Sequence, residues 1–207
     1  MDKSQRYYIR KIAVYAIYIL LFTCLQVTFP DKITLLGQVA DIMFVFVALV
    51  SYYFGFYDGI AVGLIVGMIR DYFAAPAIIG VDGLTTSTFG VGMLTLFLCA
   101  CFSSTCFTRR MHRRFSFALL TVFLATLIYK ALGHVVIMVY SFLNPFIEYN
   151  LTIDIVILES ILPQILLNII ATIPIALMLR FIGPYSKGVN PKLINDDEGR
   201  GYSWRTI

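Results

Sequence analysis

Residues 55–83 read GFYDGIAVGLIVGMIRDYFAAPAIIGVDG. Gly55, Gly59, Gly63 and Gly67 recur at an interval of four, and Asp71 takes the next step. Small residues at every fourth position let a second helix approach closely, as in the small-xxx-small packing of membrane helices. On a helix of 3.6 residues per turn such a row drifts by about 40° per step, so it can meet more than one neighbour. Tight packing within the chain, against the segment before or after it, and a face offered to another membrane protein are both open. The run closes on Arg70 and Asp71, adjacent charges in apolar surroundings.

Working outward, 59% of the 207 residues are hydrophobic and 14% are charged, with a mean hydropathy of +0.84. A soluble domain carries roughly a quarter of its residues as charges, so the expected solvent here is a bilayer. The expected fold is an all-α polytopic bundle of about six transmembrane helices. Apolar segments lie near 12–29, 39–54, 59–75, 84–107, 116–143 and 151–182, each read as able to span about 30 Å of hydrocarbon. They form one membrane domain, 1–183, followed by a polar tail, 184–207.

The first segment exceeds the roughly 7–15 residues of a signal-peptide core and is read as a retained helix. Gly55 to Asp58 alone join the second and third segments, which predicts a tight helical hairpin. Pro163 and Pro174 predict a kink or a break in the last one. An interfacial piece near 147–160 before a span at 161–182 is one form of that break, and five spans plus a broken sixth is the alternative count.

Orientation comes from lysine and arginine. Lys3, Arg6, Arg10 and Lys11 precede the first segment, and Arg109, Arg110, Arg113 and Arg114 separate the fourth from the fifth. Arg180, Lys187, Lys192, Arg200 and Arg205 lie at the C-terminal end. With six spans, thirteen of the sixteen basic residues fall on one side, which predicts cytoplasmic N- and C-termini.

Polar residues inside the apolar segments are the candidate functional groups. They are Asp41, Arg70, Asp71, Lys130, His134, Asp154, Glu159, Gln164 and Asn168, with Asp82 in the loop that ends the opening stretch. A charge at mid-bilayer costs about 2.5–3.5 kcal/mol on insertion scales, so these groups are expected to face the bundle and pair. Arg70 with Asp41 or Asp71, and Lys130 with Glu159, are the expected pairs. Their clustering in the outer half suits a bracing network or an outward pocket better than a conduit. Cys24, Cys99, Cys101 and Cys106 lie in apolar stretches without acidic or histidine neighbours and are expected to be buried free thiols.

No phosphate-binding glycine loop, metal-ligand cluster or activated nucleophile is present, so the expected function is non-enzymatic, without cofactor or nucleic acid. The second and third segments resemble the MreD family of rod shape-determining membrane proteins. The matching positions are Asp41, Gly55, Gly63, Gly67, Asp71, Pro76, Gly80 and Asp82, with Ala40 where the family has proline and Asp82 where it often has asparagine. The resemblance spans roughly 40–90. It implies a scaffold of the bacterial cell-elongation and peptidoglycan-synthesis machinery in the inner membrane. It also implies an MreC-type bitopic partner and, through it, MreB and the RodA–transpeptidase synthase. In size and layout such chains are also similar to vitamin-binding S-components of energy-coupling-factor transporters, the alternative from another class. Ala13 and Ala16 do not carry the A-x-x-x-A spacing of that class.

Overall fold

The computed structural model describes residues 3–28, 34–74, 77–79, 85–87, 90–105, 115–143 and 160–185. Asp82, Cys106, Asp154, Glu159 and the tail beyond Tyr185 lie outside them. Within these residues the chain forms α1 (Lys3–Thr28), α2 (Ile42–Phe54), α3 (Phe56–Ala74), α4 (Val91–Thr105), α5 (Phe115–Leu143) and α6 (Leu162–Phe181). Two short antiparallel hairpins, not foreseen, sit in the connections. They are β1 (Thr34–Leu35) with β2 (Gln38–Val39), and β3 (Ala77–Ile79) with β4 (Thr85–Ser87). The first turns through Leu36 and Gly37, both at positive φ (50° and 76°), the geometry of a two-residue hairpin loop.

The axis of the molecule is α2 rather than the glycine-bearing α3. Every residue from Met43 to Phe54 is buried, and α2 packs against each of the other five helices. Its sequence, IMFVFVALVSYYF, is apolar on all sides, which suits a helix surrounded by others. Phe46 lies 5.0 Å from Phe22 of α1, and Phe44 lies 4.9 Å from Tyr129 of α5, ring centroid to centroid. At 13 residues α2 is about 20 Å long, short of the about 30 Å that the sequence reading assigned to it. Among the described residues, three helical stretches are long and apolar enough to cross a membrane: Tyr8–Thr28, Phe115–Val136 and Leu162–Phe181. That marks the chain as a helical membrane protein.

Successive helices alternate in direction. Tyr18 packs on Phe46, Gly59 on Ser51, Gly67 on Met93, and Asn168 on Thr126. The start of α1, the α2–α3 turn and the end of α6 meet at one end, around Asp58. The starts of α2 and α4 lie at the other, near Asp41 and Asp71.

The glycine row joins α3 to its neighbours. A Cβ on Gly59 would stand 2.8 Å from the Ser51 Cα of α2, and one on Gly67 2.5 Å from the Met93 Cα of α4. Gly63 faces both, at 3.3 Å from Val47 and 3.3 Å from the Leu96 carbonyl. The drift of the row thus takes it from α2 to α4, and its packing role is internal. Gly55 has the different task of making the turn, with φ at 95° and its N–H donated to the Ser51 carbonyl at 3.1 Å.

Pro163 stands in the first turn of α6, where a missing N–H is tolerated, and the helix runs on through Pro174 without a break. Its start matches the expected span at 161–182. Cys99 is a buried free thiol and Cys101 a half-buried one. Cys24, against expectation, is exposed, because it lies off the stripe of Tyr15, Tyr18, Ile19 and Phe22 that α1 buries.

Candidate functional site

The short non-helical stretch 38–41 enters α2, and its backbone lies among polar side chains from other helices. Hydrocarbon offers such a backbone no partners, so it is tolerated at membrane depth only where protein groups supply them. Here they are supplied almost residue by residue. The Val39 carbonyl accepts from Gln164 Nε2 at 2.8 Å, and the Ala40 carbonyl accepts from Gln26 Nε2 at 3.1 Å. The Asp41 N–H donates to Asn168 Oδ1 at 2.9 Å, and the Ile42 N–H to Gln26 Oε1 at 2.8 Å.

Asp41 completes this collar. One carboxylate oxygen accepts the Phe44 N–H at 3.0 Å, capping α2, and the other pairs with Arg70. The Arg70 guanidinium also lies over the Tyr129 ring, 5.1 Å from its centroid. Of the two partners expected for Arg70, the pair is made with Asp41. Asn168 is fully buried and donates through Nδ2 to Thr126 Oγ1 at 3.1 Å, while its Oδ1 also accepts from Gln164 at 3.3 Å. The i, i+4 amides on α6 therefore act as one unit.

Asp71 has a separate role. Its carboxylate accepts the N–H groups of Gly90 at 2.9 Å, Gly92 at 2.8 Å and Met93 at 3.0 Å. It is an N-cap for α4 delivered from the end of α3, satisfying amides that a helix start leaves open and adding negative charge where the helix dipole favours it. Gly92 is required for this approach, since a Cβ there would stand 2.3 Å from the Asp71 carboxylate.

Lys130, half-buried on α5, donates to Gln38 Oε1 at 3.1 Å and to Ser160 Oγ at 3.0 Å. Its expected partner Glu159 lies outside the described residues, as does Asp82. His134 follows one turn along α5, partly exposed.

The opposite end holds a second polar centre that the sequence reading passed over. Asp58, 4% exposed, accepts from Lys11 Nζ, from Tyr15 Oη at 2.8 Å and from Tyr185 Oη. Lys11 also lies 5.5 Å from the centroid of the Tyr185 ring. Tyr18 Oη adds bonds to the carbonyls of Met178 at 3.0 Å and Ile182 at 3.1 Å. Asp58 thus ties the start of α1 and the residues after α6 to the α2–α3 turn. Its signal was legible: an acidic residue in a short turn between apolar segments, with Lys11 on the same predicted side.

Chemically, both centres hold helix ends in register. The carboxylates of Asp41, Asp58 and Asp71 and the amides of Gln26, Gln164 and Asn168 are engaged with backbone groups, with hydroxyls, with cations or with one another. No family model, curated protein or solved structure matches the chain.

Proposed function

We propose that this chain is an MreD-like, non-enzymatic scaffold of the bacterial cell-elongation machinery. It crosses the inner membrane six times, with both termini in the cytoplasm. Its direct partner is an MreC-type bitopic protein, and through that partner it serves MreB and the RodA–transpeptidase synthase.

One observation carries this reading. Of the positions that bear the resemblance, the five that lie among the described residues bind α2, α3 and α4 into one unit. Asp41 caps α2 and holds Arg70, Gly55 makes the turn, Gly63 and Gly67 seat α4, and Asp71 caps it. A rigid hairpin-plus-helix of this kind suits a scaffold that offers a fixed surface to a partner. The alternation of the helices adds support for the orientation. The start of α1, the end of α4, the start of α5 and the end of α6 lie toward the Asp58 end, and in the sequence thirteen of the sixteen basic residues fall within these helix ends or in the stretches next to them. The positive-inside rule makes that end cytoplasmic.

The test is co-purification in mild detergent with an MreC-type protein from the same cell. The complex is expected to survive affinity capture of either member. Absence of the complex, under conditions where both proteins remain folded, overturns the proposal. Thermal stabilisation by a vitamin in the same preparation would replace it with the S-component alternative.

A further inference from the structure

Helix α3 carries Asp58, Arg70 and Asp71, three charges in an otherwise apolar helix. All three are turned into the bundle, where Asp58 and Asp71 are buried and Arg70 pairs with Asp41. What α3 leaves outside is an uninterrupted apolar face: Ala61, Leu64, Ile65 and Met68, spaced so that they share one side of the helix. An exposed edge-to-face aromatic pair stands at each end. Phe56 and Tyr57 lie 5.8 Å apart at the Asp58 end, and Tyr72 and Phe73 lie 5.1 Å apart at the other. Tyr57 and Tyr72 are among the most exposed side chains of the helix, at 82% and 78%.

Tyrosines at both ends of an apolar helix face form the aromatic belts that sit at the two membrane–water interfaces. The composition of the face also distinguishes lipid from protein as its occupant. Close helix–helix contact in membranes relies on rows of small residues. The α3 glycines at 59, 63 and 67 are buried against α2 and α4, and the outer face presents bulky Leu, Ile and Met around the single Ala61. The two belts are 15 positions apart, about 22 Å along the helix, against about 30 Å for an ordinary hydrocarbon core. The neighbouring α2 is similarly short, at 13 residues, whereas α5 runs for 29.

We infer that the outer face of α3 is a lipid-facing surface whose paired aromatics mark the two sides of a locally thinned membrane, with phospholipid acyl chains as its occupant. This rests on the six-crossing reading, not on the identity of the protein partner.

The test uses the full chain with Trp204→Phe, so that a single tryptophan introduced as Tyr57→Trp, Ile65→Trp or Tyr72→Trp reports its own position. In sealed vesicles of monounsaturated phosphatidylcholine, Ile65→Trp should lose most of its emission to lipids brominated near the chain ends. Tyr57→Trp and Tyr72→Trp should instead be quenched best by lipids brominated near the headgroup. Thermal stability should peak in shorter-chain vesicles than it does for a chain carrying Tyr57→Leu and Tyr72→Leu. Failure of bromolipid to quench Ile65→Trp would place protein on this face and overturn the inference, as would deep quenching at either belt. With the protein inserted in one orientation, an aqueous quencher added outside should reach only one of the two belt tryptophans. Access to both from one side would overturn the crossing itself, a failure distinct from that of the lipid face.

Discussion

Arg70 reaches back across the α2–α3 hairpin to the carboxylate of Asp41 rather than to Asp71 beside it in sequence. The two acids that flank it in space thereby take different work. Asp41 closes the start of α2 and neutralises Arg70, and Asp71 is left to cap α4. Removing one partner of a buried pair leaves the other charge uncompensated. Arg70→Ala should therefore destabilise the protein by about 3 kcal/mol, the lower end for such pairs because Arg70 keeps some exposure. Asp41→Ala should cost more than Asp41→Asn, since asparagine retains an acceptor for the Phe44 N–H. Thermal unfolding in detergent orders the three variants.

Asp71 offers a separate measurement. Asp71→Ala strands three backbone N–H groups at the start of α4, at a penalty of about 1–3 kcal/mol for each group left buried and unsatisfied. Relaxation and water will recover part of this, so a net loss of about 3 kcal/mol is expected. Hydrogen exchange should localise the damage to the first turn of α4, while the Arg70 variant should leave that turn protected.

The glycine row predicts a graded series. Gly59→Ala and Gly67→Ala place a methyl against α2 and α4 backbone and should each cost about 1–3 kcal/mol through overpacking. Gly63→Ala, with contacts at 3.3–3.4 Å, should be the mildest of the three. Gly133→Ala in α5 meets nothing within 4 Å and should stabilise by about 0.4–1 kcal/mol. Equal effects at all four positions would show that the α3 interfaces are not as close as described.

At the Asp58 end, Tyr15 and Tyr185 donate to the same carboxylate oxygen. Tyr185→Phe should cost about 1.5–3 kcal/mol, the range for a hydrogen bond to a charged group. Groups that share a partner couple, so Tyr15→Phe with Tyr185→Phe should depart from additivity by at least about 0.5 kcal/mol in a double-mutant cycle. Strict additivity would mean that the two hydroxyls do not share Asp58.

The helical class, the hairpin at Gly55 and the inward pairing of Arg70 were legible because each follows from local composition or from the cost of a bare charge in hydrocarbon. The centrality of α2 was partly legible, since IMFVFVALVSYYF is apolar on every side, yet a lipid-exposed span reads the same way. What distinguishes them is length, and a 13-residue helix cannot be told from its sequence neighbours until the preceding strand is known. The roles of Gln26, Gln38 and Thr126 were not legible. Their partners lie far along the chain, and a polar residue near a segment end is ordinarily taken as interfacial. Asp71 looked like a charge seeking a charge, but it satisfies backbone amides, which carry no sequence signal.

The Asp41 N–H finds its acceptor on Asn168, 127 residues later. During synthesis α2 is therefore made long before the α6 amides that complete its entry exist. The nascent hairpin must wait, with part of its polar entrance unsealed, for the last helix to arrive. Full closure of the first half of the protein then waits on the synthesis of α6. A chain interrupted before α6 would present the quality-control proteases of the membrane with an open seam at Val39 and Asp41, although all the residues of that seam had already been inserted.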